Sequence, residues 1–116
     1  MMTIGMEFHI DYAHKLVGHP TCGVDHGHTA RVLVEIRGEV KGGPSWRDNV
    51  IMDFNELKQI VWKHLSKLDH HNLNELMPVP SAENICKWIF DSLSSELDVV
   101  RVTFYEGEGK WCTVSK

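Results

Sequence analysis

The hydrophobic period of this chain changes twice, and that change constrains the fold more than any other feature. From Thr3 to Ala13 the even positions carry Ile4, Met6, Phe8, Ile10 and Tyr12, while the odd ones include Glu7, His9 and Asp11. Side chains alternate across a strand, so this pattern predicts a half-buried strand. His26 to Val40 repeats it, with Ala30, Val32, Val34 and Ile36 opposed to Thr29, Arg31, Glu35 and Arg37. Val99 to Glu106 returns to it, and the Gly107-Glu108-Gly109 turn leads into a last strand through Trp111 and Thr113. Between these ends the apolar residues fall three or four apart. Phe54, Leu57, Ile60, Val61, His64, Leu65 and Leu68 predict one amphipathic helix, opened by a capping box of Asp53 and Glu56. Ile85, Trp88, Ile89, Leu93 and Leu97 predict a second, with Ser81 as its N-cap after Pro78 and Pro80. The order β-β-α-α-β-β predicts an α+β fold, a four-stranded antiparallel sheet with both helices on one face.

With 116 residues, 42% of them hydrophobic, the chain fits a single domain spanning residues 1–116. The longest apolar runs are a few residues and no leader pattern opens the chain, which predicts no membrane span and a cytoplasmic location. A net charge of −4, no Lys/Arg cluster and four scattered Trp argue against nucleic acid as a partner. Cys22, Cys86 and Cys112 match neither a disulfide framework nor a paired-cysteine zinc motif, and read as free thiols. Cys86 and Cys112 fall within predicted elements as packing residues.

Eight histidines stand out. In His26-Gly27-His28 two imidazoles share the face of Ala30 and Val32, and His14 has the parity of Ile4 through Tyr12. Three neutral imidazoles without a fourth protein ligand suit a catalytic zinc, which keeps a position open, whereas structural zinc is usually closed by four ligands rich in Cys. The spacing is equally compatible with histidines packed or hydrogen-bonded in ordinary strands.

Three further features carry two readings each. Cys22, in a Gly-containing loop before His26, is either a base or nucleophile activated by a nearby cation or an ordinary loop thiol. Asp69-His70 is either a carboxylate–imidazole pair for proton transfer or a cap on the preceding helix. Glu106 shares the parity of Val100, Val102 and Phe104, so it either points a carboxylate at the apolar face or frays into solvent before Gly107.

Taken jointly, Tyr12-Ala13-His14, the run Cys22 to His28, Met52-Asp53-Phe54, Leu68-Asp69-His70-His71-Asn72-Leu73-Asn74, Pro80 to Asn84 and Glu106 resemble the family of 6-pyruvoyl- and 6-carboxy-tetrahydropterin synthases, in the family's order over nearly the whole chain. The resemblance implies the tunnelling fold, in which several subunits join their sheets into one barrel, as a homo-oligomer that is usually a hexamer. It implies one Zn²⁺ per subunit on His14, His26 and His28, and 7,8-dihydroneopterin triphosphate as substrate. Cys22 then corresponds to the proton acceptor, Asp69 and His70 to a proton relay across a subunit interface, and Glu106 to the acid that anchors the pterin ring. Backbone groups near Ser81 and Ala82 would help to hold that ring.

The spacing of Cys22 before His26 and the run Asp-His-His-x-Leu-Asn resemble the carboxy branch. This branch releases triphosphate and acetaldehyde and serves 7-deazaguanine (queuosine or archaeosine) biosynthesis; the pyruvoyl branch keeps the three-carbon chain. Pro80-Ser81-Ala82-Glu83 departs from the more usual Pro-Thr-Ser-Glu. No glycine-rich phosphate loop occurs, which leaves Lys15 and Arg31 as candidates for the triphosphate. A non-catalytic zinc-binding protein is the competing reading from another class, and a thiol base with an inward carboxylate would have no use in it.

Overall fold

The computed structural model describes residues 1–116. Strands β1 (Met2–His14) and β2 (His26–Gly38) form a long antiparallel hairpin in which Tyr12 faces His28 and His14 faces His26. Strand β4 (Val99–Gly107) pairs with β2, and β5 (Lys110–Ser115) with β4. The two 13-residue strands give the molecule an elongated outline of 58 × 24 × 22 Å.

The sheet has five strands rather than the expected four. A two-residue strand β3 (His71–Asn72) lies parallel to β1 at Tyr12 and Ala13, giving the order β3-β1-β2-β4-β5. Two residues are too short to show any hydrophobic period. Beyond Tyr12 and Ala13 the outer edge of β1 carries no neighbour, and neither does the outer edge of β5.

Helices α1 (Phe54–Leu65) and α2 (Ala82–Ser94) cover one face of the sheet. Asp53 caps α1 by accepting from the Asn55 N–H. The complete capping box expected there forms instead at Ser45 and Asp48, around a 3₁₀ turn at Trp46–Asn49. Ser81 caps α2 by accepting from the Asn84 N–H at 3.1 Å. Leu57, Val61 and Leu65 of α1 and Ile85, Cys86, Ile89 and Leu93 of α2 join the even positions of β1 and β2 in one core of 20 buried residues.

Cys86 packs in that core with its thiol pushed up to about 12 by burial, and Cys112 is half-buried with its thiol donating to the Ala82 carbonyl at 3.2 Å. His64 turns out of the stripe just enough to reach Glu96, as does Lys63. Hydrogen bonds from Lys63 and then His64 hold the exposed Glu96 carboxyl below its ordinary range. No helix is long and apolar enough to cross a membrane.

Candidate active site

The β1–β2 register and the two-residue period bring His14, His26 and His28 to one point on the helix-facing side of the sheet. One ring nitrogen of each lies within 4.8 Å of the other two, and ring centroids are 4.5 to 5.0 Å apart. His14 is the one buried polar residue of the chain. Its Nδ1 donates to the Pro80 carbonyl at 2.6 Å, and Nδ1 of His26 donates to the Val24 carbonyl at 2.8 Å. Those bonds fix the tautomer and turn Nε2 inward with its lone pair free.

The Nε2 atoms of all three are buried without any hydrogen-bond partner. Leaving three such polar atoms unmet would cost roughly 1–3 kcal/mol each, and one shared cation would satisfy them together. Three neutral imidazoles with no thiolate or carboxylate among them fit Zn²⁺ with a coordination position left for substrate. Burial is the chief cause that holds His28 below the usual imidazole range, against the pull of Glu106.

Glu106 does not fray into solvent. Its carboxylate comes within 4.0 Å of His28 Nε2, and its side chain is only 22% exposed. Of the run Pro80 to Ala82, Pro80 touches the cluster through its carbonyl on His14, while the Ser81 hydroxyl is taken by the α2 cap.

Asp69 and His70 form a second group, with Asp11, at the edge of β1. Asp69 Oδ1 accepts from the Asp11 N–H at 2.9 Å, and the His70 N–H donates to the Asp11 carbonyl at 2.6 Å. Both residues dock on the main chain of Asp11, and His70 adopts the left-handed region, φ 59°, where a non-glycine residue is strained. His70 Nε2 then stands 3.6 Å from Asp69 Oδ2 with its ring 76% exposed. A groove of about 510 Å³ is lined by His28 of the first group and by Asp11 and His70 of the second.

Cys22 belongs to neither group; it sits half-buried in the loop between β1 and β2. The residue that orders this loop is His19, whose Nδ1 accepts the Cys22 N–H at 3.0 Å and the Thr21 N–H at 3.2 Å. The loop closes through Leu16 N–H to the Cys22 carbonyl at 2.7 Å. A Cβ at Gly23 would meet the His19 carbonyl oxygen at 2.8 Å, so the close approach requires glycine. Replacing His19 with alanine removes the acceptor for two amides. Hydrogen exchange at Thr21 and Cys22 is expected to quicken by roughly an order of magnitude, and His19→Asn, whose amide oxygen can stand in for Nδ1, to restore most of the protection. Equal exchange in the alanine variant and the unsubstituted protein would refute the role of His19.

The family model for 6-pyruvoyl tetrahydropterin synthase matches residues 3–116. The chain belongs to that family. An Archaeoglobus fulgidus protein provisionally named 6-carboxy-5,6,7,8-tetrahydropterin synthase is 41% identical over 116 residues, 99% of this chain and 96% of that protein. A Pyrococcus furiosus protein named dihydroneopterin monophosphate aldolase is 37% identical over 86 residues, 71% of this chain and 70% of that protein. The structure of the Caenorhabditis elegans 6-pyruvoyl tetrahydropterin synthase superposes with a TM-score of 0.87 at 23% identity, covering 99% of this chain and 95% of that one, and shows that the fold is shared.

As a member of this enzyme family the chain carries two site features that residue patterns did not single out. His19 reads in sequence as either a surface histidine or one that supports a site residue from behind, since nothing in the spacing says that its ring folds back on the loop. Asp11 reads as a solvent-facing strand position, and its main-chain role toward Asp69 and His70 has no side-chain signature. Arg31, a candidate for the triphosphate, is committed to Glu7 at 3.1 Å and lies 4.1 Å over the Tyr105 ring.

Proposed function

We propose that this protein is a zinc-dependent 6-carboxy-5,6,7,8-tetrahydropterin synthase, a lyase that converts 7,8-dihydroneopterin triphosphate to 6-carboxytetrahydropterin with loss of triphosphate and acetaldehyde. The observation that carries the reading is the trio of buried, unpartnered imidazole nitrogens with the Glu106 carboxylate beside them. Full-length similarity to the Archaeoglobus protein supports the carboxy branch. The place of such a product is in making 7-deazaguanine bases, and the odd set of free cysteines fits a cytoplasmic enzyme.

His14, His26 and His28 would hold one Zn²⁺. When bound, that ion supplies Lewis-acid polarisation of the substrate's hydroxylated side chain, which makes its C–H protons more acidic. Glu106 accepts two parallel hydrogen bonds from the amino-pyrimidinone edge and so fixes the ring, with backbone groups of Ser81 and Ala82 beside it. Cys22, on its ordered loop, takes the proton from the side-chain carbon. Asp69 orients His70, which moves a proton at a side-chain oxygen.

The open edges of β1 and β5 support assembly of residues 1–116, as one domain, into a homo-oligomer. Unpaired strand edges on both sides of one sheet are completed most simply by further copies of the chain, in a closed ring such as a hexamer.

The test is incubation with 7,8-dihydroneopterin triphosphate, mass analysis of the pterin and an assay for acetaldehyde. The expected result is 6-carboxytetrahydropterin with one acetaldehyde per turnover. A pyruvoyl product would move the enzyme to the other branch. Inertness toward the triphosphate, with cleavage of dihydroneopterin monophosphate, would favour the second reading, an aldolase, which rests on the Pyrococcus relative. A zinc-loaded protein that turns over neither compound would point to metal binding without catalysis.

A further inference from the structure

Beside the three imidazoles a fourth buried polar atom has no partner, the hydroxyl of Tyr12. The residue is 4% exposed. A buried hydroxyl left unpaired in a well-packed strand costs roughly 1–3 kcal/mol and calls for a ligand or a functional reason. Its neighbours say where it points. Tyr12 stands opposite His28 on β2, with ring centroids 5.6 Å apart, and edge-on to His14 at 5.2 Å.

The Tyr12 ring also reaches Phe104 at 5.9 Å, although Phe104 lies on β4 with the whole width of β2 between. The phenol therefore crosses β2 near Ala30, the smallest side chain on that face, and approaches the strand that carries Glu106. A phenol is protonated at neutral pH, so this hydroxyl is available as a donor. The Tyr12 ring thus lies against the imidazole cluster on one side and against Phe104, two positions before Glu106, on the other.

We propose that the Tyr12 hydroxyl is a substrate-binding group, which donates a hydrogen bond to the pterin at N5, the ring nitrogen adjacent to the side-chain carbon. The inference rests on the pterin reading above and extends it. A substrate whose side chain is held at the imidazoles and whose pyrimidine edge is held at Glu106 must bridge the space between, and N5 is the acceptor at that junction. A dihydropterin that becomes a tetrahydropterin gains a proton at N5, so a donor aimed there also favours the reacting form of the ring.

The test is Tyr12→Phe, which keeps the ring and removes only the oxygen. Zinc-loaded protein is titrated with 7,8-dihydroneopterin, which lacks the triphosphate leaving group, and the melting temperature is measured without ligand. Affinity is expected to fall roughly five- to tenfold, as for one lost hydrogen bond, while zinc content is unchanged and the unliganded variant melts at the same temperature or higher. Equal affinity in the two proteins overturns the role of the hydroxyl and leaves the pterin reading standing. A lower melting temperature with equal affinity assigns the hydroxyl to the fold and likewise overturns the proposal. Failure of the unsubstituted protein to bind 7,8-dihydroneopterin overturns both.

Discussion

His28→Ala is expected to remove zinc from the protein while leaving the fold in place. The unsubstituted chain should hold one zinc per subunit after dialysis, and the variant a small fraction of that, read by atomic spectroscopy. Removal of a supporting outer group already weakens a metal site roughly 10- to 100-fold, and loss of one of three protein ligands should exceed that. The fold survives because His28 sits at the rim of the core, with its side chain 21% exposed, while Ala30, Val32 and Val34 below it are fully buried.

The two proteins should then respond differently to a chelator. A metal that binds only the folded state stabilises it by mass action, so EDTA should lower the melting temperature of the unsubstituted protein and leave that of His28→Ala unmoved. Retention of one zinc per chain by the variant would show that the imidazoles are not the ligands.

The sequence made the sheet and the imidazole cluster legible because both depend on period. Thirteen-residue strands with one apolar face fix register through burial, and once β1 and β2 pair, the parity of His14, His26 and His28 decides which side they face. Glu106 is legible in the same way, since alternation carries on past Phe104. What escaped was set by main-chain contacts. Strand β3 follows directly on the two bonds that hold Asp69 and His70 to the main chain of Asp11, and neither the left-handed turn at His70 nor the loop contact of His19 leaves a pattern in residue types. The Tyr12 hydroxyl escaped for a related reason: alternation marks the residue as apolar core, and only the register across three strands shows which rings it meets.

Cys22→Ala is expected to lower turnover of 7,8-dihydroneopterin triphosphate by about 10²–10⁴, the range for loss of a general base, with zinc content and affinity for 7,8-dihydroneopterin unchanged. That separation follows from the structure, because the Cys22 thiol lies outside the imidazole cluster and Glu106 contacts His28 independently of the loop. His19 holds the Cys22 amide at 3.0 Å, so if the thiol is the base, His19→Ala should cost turnover less than Cys22→Ala does. Combining them distinguishes a shared role from two separate ones. If His19 works only by positioning the thiol, the double variant is no slower than Cys22→Ala alone, a coupling that a double-mutant cycle reads directly. Additive losses would give His19 its own contact with substrate, and full activity in Cys22→Ala would remove the thiol from the chemistry and leave His70 as the group to test for proton removal from carbon.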